Sequence, residues 1–130
     1  MTDSLTITLP LPPRELSPNA RVHWAKKAKL TKAYRSACWV ASIRRGVEVG
    51  HDILPPRWPA ATVQLTFYHK DKRRRDSDNL QASMKAAFDG IVDAGVLADD
   101  DQLTHLPLRK EVDKENPRVE ITITPNKEAT

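Results

Sequence analysis

The sequence predicts an α+β (mixed α/β) fold, in which a small mixed β-sheet is covered on one face by two main helices. Several short segments alternate between apolar and polar residues, as half-buried strands do, and two longer segments repeat apolar residues at helical spacing. The chain has 130 residues, of which 39% are hydrophobic and 29% charged. This size and composition indicate one soluble domain over residues 1–130, with an adequate core.

The first strand is predicted at 5–9, where leucine and isoleucine alternate with threonine, and the prolines that follow end it. A helix is predicted over 29–45 because small and apolar residues recur every three or four positions. Thr31 is expected near its start and Gly46 at its end. The segment 46–59 contains three prolines and two glycines and is expected to be a loop.

The second strand is predicted at 63–68, and it delivers the chain to a second helix over 79–94. Asp78 or Asn79 is the expected N-cap of that helix, and Gly95 is the expected C-terminal stop. Its apolar stripe consists of Leu80, Met84, Ala87, Phe88, Ile91 and Ala94. Two more strands are predicted, at 102–108 and 118–123, before a loose tail at 126–130. We hypothesise that the second strand pairs with the last, while the pattern leaves the full strand order open.

Charge is distributed unevenly along the chain. The net charge is +4, but residues 1–45 carry nine Lys or Arg against two acidic residues, whereas 89–101 carry five Asp and no base. A basic segment beside an acidic pocket suits a protein that attracts phosphates and retains a cation. Arg21, Lys26 and Lys27 are the candidates for DNA contact in the basic segment, and an ordinary solvated surface is the alternative.

The most informative motif joins arginines to carboxylates. It reads Lys72-Arg73-Arg74-Arg75-Asp76-Ser77-Asp78-Asn79-Leu80, and a later loop contains Asp99-Asp100-Asp101. If the first segment is extended, Asp76 and Asp78 leave on one face, and Asp100 can close an oxygen cage of the kind that Mg²⁺ favours. Such a cage, beside arginines that attract a phosphodiester, suggests metal-assisted cleavage of a nucleic acid. The alternatives are an Asx turn with a helix cap and a solvated acidic turn.

Several other charged positions extend this hypothesis. Lys85 follows Asp78 by two helical turns and could stabilise charge on the phosphate, although a pair with Asp89 four residues later is the simpler interpretation. Alternation is expected to turn Arg74 toward the carboxylates, with Arg73 and Arg75 facing elsewhere, and Lys72 adds to this DNA-binding set. Asp89 and Asp99 are second-tier acidic candidates.

The remaining residue types exclude several other classes. Cys38 is the only cysteine, so neither an intrachain disulfide nor a cysteine-based zinc site can form, and it is expected to be a small buried side chain. The four histidines lack metal-ligand spacing, and the glycines form no phosphate loop. The N-terminus lacks the features of a signal peptide and no segment reaches the length of a membrane span, so a cytoplasmic location is expected.

The combined motif resembles that of the RusA family of Holliday junction resolvases, which phages and prophages often carry. The resemblance rests on Asp76-x-Asp78-Asn79-Leu80, Lys85-x-x-x-Asp89, Ala94-Gly95 and Asp99-Asp100-x-Gln102, and on the opening Leu11-Pro12-Pro13 and Ser17-Pro18-Asn19-Ala20-Arg21-x-His23-Trp24. It spans nearly the whole chain, including the Tyr34-Arg35 helix and the closing strand.

The resemblance implies a small homodimeric endonuclease that uses Mg²⁺, with Mn²⁺ as a substitute, to make paired nicks across a four-way DNA junction. By motif position, Asp76, Asp78 and Asp100 would bind the metal and Lys85 would be the active-site lysine. This sequence departs from the compact motif by inserting Ala82-Ser83-Met84, which would shift the lysine by ~4.5 Å along a continuous helix. It therefore resembles a longer phage-type branch.

Two other functions remain compatible with the pattern. One is a DNA-junction-binding module without turnover, which would bind in a salt-dependent way and cut nothing. The other is a different metal-dependent phosphohydrolase or flap nuclease, which would have no need of the basic N-terminal segment. Structural Ca²⁺ binding is disfavoured because the glycine and spaced ligands of a helix–loop–helix calcium site are missing.

Overall fold

The computed structural model describes residues 4–48, 58–97 and 103–126, and these residues form the predicted α+β fold. The elements are β1 (Leu5–Leu9), α1 (Trp24–Glu48), β2 (Ala61–His69), α2 (Ser77–Ala82), α3 (Lys85–Asp93), β3 (Leu103–His105), β4 (Arg109–Val112) and β5 (Arg118–Pro125). A 3-10 turn at Arg14–Leu16 precedes α1. Within the described residues, the five strands form one mixed sheet in which β1, β5 and β2 are consecutive neighbours.

The hypothesised pairing of the second strand with the last is confirmed. β2 and β5 are antiparallel, with Val63 opposite Ile123, and β5 also pairs antiparallel with β1. On its other side β2 runs parallel to β3 near its start and to β4 near its end. Alternate residues of β2, from Ala61 to His69, are buried, so one face of this strand carries the core. These pairings fix the C-terminal end of β2 at His69, shortly before the arginine run.

Helix α1 is longer than predicted at both ends. It begins at Trp24 because the His23 ring takes the capping position, its Nδ1 accepting the Ala25 N–H at 3.2 Å. Thr31 is interior, since its hydroxyl donates to the Lys27 carbonyl at 2.7 Å. Gly46 is buried and does not end the helix, which continues to Glu48. A glycine lowers helix stability without forcing a stop, so the predicted range 29–45 was too short.

The single helix predicted over 79–94 is two helices, α2 and α3, with a break at Ser83 and Met84. Ser83 donates its hydroxyl to the Leu80 carbonyl at 2.8 Å, and Met84 has φ −93° and ψ 2°, between helical and extended values. Met84 is fully buried and lies 3.9 Å from the Tyr34 hydroxyl through its sulfur. The inserted residues therefore form a turn, and the lysine is not shifted along one continuous helix.

Other predictions in this region are confirmed. The stripe residues from Met84 to Ala94 are buried, while Leu80 is half-buried against the core. Gly95 has φ 82° and follows the end of α3, a conformation that favours glycine.

Two strands differ from the prediction. The strand predicted at 102–108 is shorter, at Leu103–His105. Strand β4 was not predicted, because all four of its residues are exposed and show no alternation.

Helices α1 and α3 pack closely. Gly90 provides the point of closest approach, because a Cβ there would lie 2.9 Å from the Cys38 Cβ and 3.1 Å from the Trp39 nitrogen. Arg35 of α1 donates two hydrogen bonds to Asp93 of α3, at 2.6 and 2.8 Å. Cys38 is buried as expected, and burial raises its pKa to about 12. This packing fixes α3, which carries Lys85 and Asp89.

Across 4–48, 58–97 and 103–126, no helix has the length and apolar character that crossing a membrane would require.

Candidate active site

Asp76 lies between β2 and α2 and caps α2, a role that sequence analysis had given to Asp78 or Asn79. Its Oδ1 accepts the backbone N–H of Asp78 at 2.8 Å and of Asn79 at 3.2 Å. The Asx-turn and cap alternative therefore describes the geometry of this residue correctly. Both bonds use the same oxygen, however, so the second oxygen, Oδ2, is left for another ligand. Capping and metal binding are compatible roles for one carboxylate.

Asp78 occupies the first turn of α2 and is exposed. The expectation that Asp76 and Asp78 project from one face of an extended segment is wrong, because the chain is helical from Ser77 onward. The cap nevertheless holds both carboxylates at one helix N-terminus, where the backbone dipole favours negative charge. Among the described residues, neither carboxylate forms an ion pair with a basic side chain. Both are therefore accessible to a cation.

The third predicted ligand, Asp100, lies outside the described residues, as do Asp99 and Asp101. Within the described ranges, no group of three or more His, Cys, Asp or Glu residues is arranged to hold a metal ion. The described part of the site thus contributes two hard oxygen-donor residues, which suits Mg²⁺ because that ion keeps several waters and uses one or two carboxylates beside substrate phosphates. Closure by Asp100 stays a prediction.

Lys85 is the first residue of α3, and its Nζ lies 3.1 Å from Oδ1 of Asp89. This is the i,i+4 pair that spacing alone favours, and it is worth only about 0.3–0.5 kcal/mol on an exposed helix. Asp89 also lies 3.9 Å from Arg35 of α1. Lys85 remains well exposed, so this weak pairing leaves its predicted role toward phosphate open.

Arg75, directly before Asp76, is held in place by its neighbours. Its Nη2 donates to Oδ1 of Asp71 at 2.9 Å, and its Nη1 donates to the carbonyls of Asp71 and Arg73 at 3.2 and 2.9 Å. The side chain is only 18% exposed. The Arg73 backbone N–H and the Arg75 guanidinium hold the pKa of Asp71 below its usual value. Lys110 of β4 adds a bond from its Nζ to the Arg75 carbonyl at 2.6 Å.

The prediction that Arg74 turns toward the carboxylates is not supported. Arg75 and Asp76 line one groove, between the segment after β1 and helix α2. Arg74 does not line this groove but a neighbouring cavity of about 500 Å³, which Arg75 also borders. Alternation fails here because residues 70–76 are not part of a strand. Arg73, Arg74 and Lys72 are exposed around this cavity, and Lys110 from β4 joins them. The result is a basic surface adjoining the metal candidates.

The basic N-terminal segment forms a second surface. Arg21 and Lys26 line a cavity of about 630 Å³ together with Arg14, while Lys27 is half-buried and does not line it. Lys26 lies 3.5 Å from a carboxylate oxygen of Glu15. Arg14 lines both this cavity and the groove at Asp76, so it connects the two surfaces.

Two basic residues near the candidate site, Arg14 and Lys110, were not predicted as part of it. Arg14 belongs to the basic segment 1–45, and no local pattern distinguishes it from the other basic residues there. Lys110 was missed because β4 itself was not predicted. His69, buried at the end of β2, lines both the Arg74 cavity and the Asp76 groove, and burial together with Arg75 lowers its pKa.

The two roles of Asp76 can be separated by substitution. We expect Asp76→Asn to keep the cap, because Asn caps helices about as well as Asp, and Asp76→Ala to lower the free energy of unfolding by about 1 kcal/mol. Urea unfolding followed by circular dichroism measures this difference. An equal loss of stability in both variants would mean that the cap does not account for the carboxylate's structural role.

Comparison with known proteins decides the family. The profile of the family described as Endodeoxyribonuclease RusA matches residues 16–124. The chain belongs to the RusA family. It is 33% identical over 126 residues to the crossover junction endodeoxyribonuclease RusA of Escherichia coli, covering 94% of this chain and 95% of that protein. The RusA protein of enterobacteria phage 82 is 34% identical over 122 residues, with 91% and 92% covered.

A protein of Xylella fastidiosa described only as uncharacterized is 35% identical over 120 residues, which are 92% of this chain and 75% of that protein. Membership of the RusA family confirms the resemblance inferred from the Asp76–Leu80 and Lys85–Asp89 motifs. It also confirms, at the level of the family, that the chain is an endonuclease.

Proposed function

We propose that this protein is a Mg²⁺-dependent endonuclease that resolves four-way DNA junctions by paired nicks. The observation that carries the proposal is the placement of Asp76 and Asp78 at one helix N-terminus, directly after the basic surface of Lys72, Arg73 and Arg74. The relatives from Escherichia coli and phage 82 are both named crossover junction endodeoxyribonucleases. A bacterial or phage-infected cytoplasm is the location that such a substrate requires.

In this proposal Asp76, Asp78 and Asp100 hold the cation. The cation would supply charge neutralisation at the phosphate and lower the pKa of bound water. Oδ1 of Asp76 orients the carboxylate through its two backbone bonds, so that Oδ2 is presented in a fixed direction. Lys85 would place its ammonium near the reacting phosphate, and Asp89 would hold the lysine at the start of α3. Asp99 would be a second-tier acidic residue, outside the set that binds the cation.

The arginine run has a different task. Arg73 and Arg74 are exposed and can contact the DNA backbone directly, whereas Arg75 is held by Asp71 and borders the groove at Asp76. Arg21 and Lys26 extend the positive surface toward the N-terminal side. Contacts of this kind position DNA without reading its sequence.

A homodimer would provide the two active sites that paired nicks require, because a two-fold axis presents identical sites to related strands of the junction. Helix α1 exposes Trp39, Val40 and Ile43, with 45%, 43% and 40% of their surface accessible. We expect this face to contact a second copy of the chain. Ile43→Asp should shift the sedimentation of the protein from dimer to monomer, and an unchanged sedimentation coefficient would place the contact elsewhere.

The proposed function is tested by cleavage of an end-labelled synthetic four-way junction beside a linear duplex of the same sequence and a flap substrate. We expect symmetric nicks in the junction with Mg²⁺ and none with EDTA. Tight binding without cutting in any divalent metal would instead favour the non-catalytic binding module. Equal cutting of the duplex, or preferred cutting of a flap, would favour the other metal-dependent nucleases.

Because Arg73 and Arg74 are exposed, we expect them to contribute to the salt dependence of DNA binding. We expect Arg73→Gln with Arg74→Gln to weaken binding to any junction sequence, and to reduce the slope of log affinity against log salt by about 1 for each phosphate that is no longer neutralised. Fluorescence anisotropy in EDTA at several salt concentrations measures this slope. The matched control is Lys114→Gln, an exposed base outside both cavities. An unchanged slope in the double variant would remove these arginines from the interface.

A further inference from the structure

A groove of about 420 Å³ runs along one side of Asp76, between the segment that follows β1 and the helix α2. One wall is apolar and consists of Leu11, Pro12 and Pro13, and Leu80 of α2 faces it. Asp76 and Asn79 are polar residues of the same lining. The groove is therefore continuous with the candidate metal site, and its occupant would lie next to the phosphate that is cut.

The walls of the groove are fixed by hydrogen bonds. The buried Tyr34 donates its hydroxyl to the Pro10 carbonyl at 2.7 Å and ties the start of the proline segment to α1. The Leu16 N–H bonds to the Pro13 carbonyl at 2.9 Å and closes the turn at the other end. Opposite, the cap at Asp76 fixes the start of α2. Because these contacts hold both walls in place, the groove is already formed before a ligand binds.

Charge at the groove indicates what it can accept. Arg14, from the segment after β1, and Arg75, from the segment before α2, both line it. Arg75 is oriented by Asp71, while Arg14 is exposed. Apolar walls lined by two cations match a nucleotide, whose flat base is flanked by phosphates along the strand. The Asn79 amide can donate to and accept from the edge of a base.

We propose that this groove accepts the unstacked base of a nucleotide adjacent to the cut phosphate. The inference rests on the proposed function, and it adds a base-contacting subsite to the metal site. Removing a base from the stack costs free energy in a duplex, and it costs less where pairing is already disturbed, as at a branch point. The groove would therefore favour branched DNA over linear duplex, and Asn79 would bias which base is accepted.

The first test measures binding without cleavage. Junctions that carry 2-aminopurine at each position around the cut are mixed with the protein in EDTA, where unstacking of the probe raises its fluorescence. We expect an increase at one position adjacent to the cut and none at positions farther away. Leu80→Gln and Leu11→Gln, one from each wall, should both suppress the increase. Leu106→Ala, an exposed apolar residue of the β3–β4 connection, is the control and should behave as the wild type.

The second test measures cleavage of junctions with an abasic site at the same positions. We expect the rate to fall about five-fold or more at the position where fluorescence rises, because the base is no longer there to be buried against the apolar walls. In Leu80→Gln the intact and abasic junctions should be cut at similar rates. Asn79→Ala should change the relative cleavage rates of junctions that differ only in that base.

The outcomes separate this inference from the proposed function. Junction cleavage with no fluorescence change at any adjacent position would overturn the base subsite and leave the endonuclease intact. An undiminished fluorescence increase in both wall variants would also overturn it, since the base would then be unstacked by another surface. A fluorescence change that both wall variants suppress supports the subsite even if the protein cuts no junction, in which case the proposed function alone fails.

Discussion

Replacing Asp78 by Asn is expected to abolish metal-dependent cleavage while leaving folding and junction binding intact. The substitution removes one of two carboxylates at the start of α2, and loss of a metal-binding charge worth several kcal/mol lowers the rate by about a thousand-fold or more. Asp78 is exposed, so core packing is unchanged. The stability cost is limited to the helix-dipole contribution of a charge in the first turn, about 0.3–1 kcal/mol.

Three measurements on the Asp78→Asn protein make the result specific. Single-turnover cleavage of the junction with Mg²⁺ reports on chemistry, anisotropy in EDTA reports on binding, and urea unfolding reports on folding. Glu115→Gln is the matched control, because Glu115 is an exposed carboxylate in the turn between β4 and β5. Cleavage by Asp78→Asn at the wild-type rate would refute the assignment, whereas loss of cleavage together with loss of folding would point to a structural role.

Alternating apolar residues made the principal strands predictable, because each strand has one face on the core. This holds for β1, β2 and β5, and even the pairing of β2 with β5 could be hypothesised. The exposed strand β4 has no such pattern, and it is identified only by its pairing with β2. Local sequence therefore predicts strands with one face on the core, and it misses an exposed strand such as β4.

The site was predictable in its residues and only partly in its geometry. The alternate positions of Asp76 and Asp78 drew attention to them, but the inference of an extended segment failed because capping starts the helix at Ser77. Arg75 rather than Arg74 borders Asp76 for the same reason, since no strand continues past His69. The break at Ser83 was also hidden, because both flanking turns show helical spacing and a serine does not by itself end a helix; its local bond to the Leu80 carbonyl is visible only in the structure.

Substitution of Gly90 is expected to have the other large effect, on both the stability and the activity of the protein. A Cβ at this position would meet the Arg35 carbonyl oxygen closer than real contacts allow, and it would lie 2.9 Å from the Cys38 Cβ. Over-packing of this kind costs about 1–3 kcal/mol or more, against about 1 kcal/mol gained when alanine replaces glycine in a helix. We expect Gly90→Ala to be destabilised by about 1–2 kcal/mol and Gly90→Val by more, because its branched side chain requires further separation of α1 and α3.

The activity of the Gly90 variants should fall more than their stability alone explains. Helix α3 carries Lys85 and Asp89, so moving it away from α1 displaces the predicted active-site lysine relative to Asp76 and Asp78. Urea unfolding and single-turnover cleavage, both measured where the variants are fully folded, separate the two effects. Ser36→Ala on the exposed side of α1 is the control, and it should change stability by only a few tenths of a kcal/mol. A Gly90→Val protein as stable and active as the wild type would mean that α3 does not depend on this contact for its position.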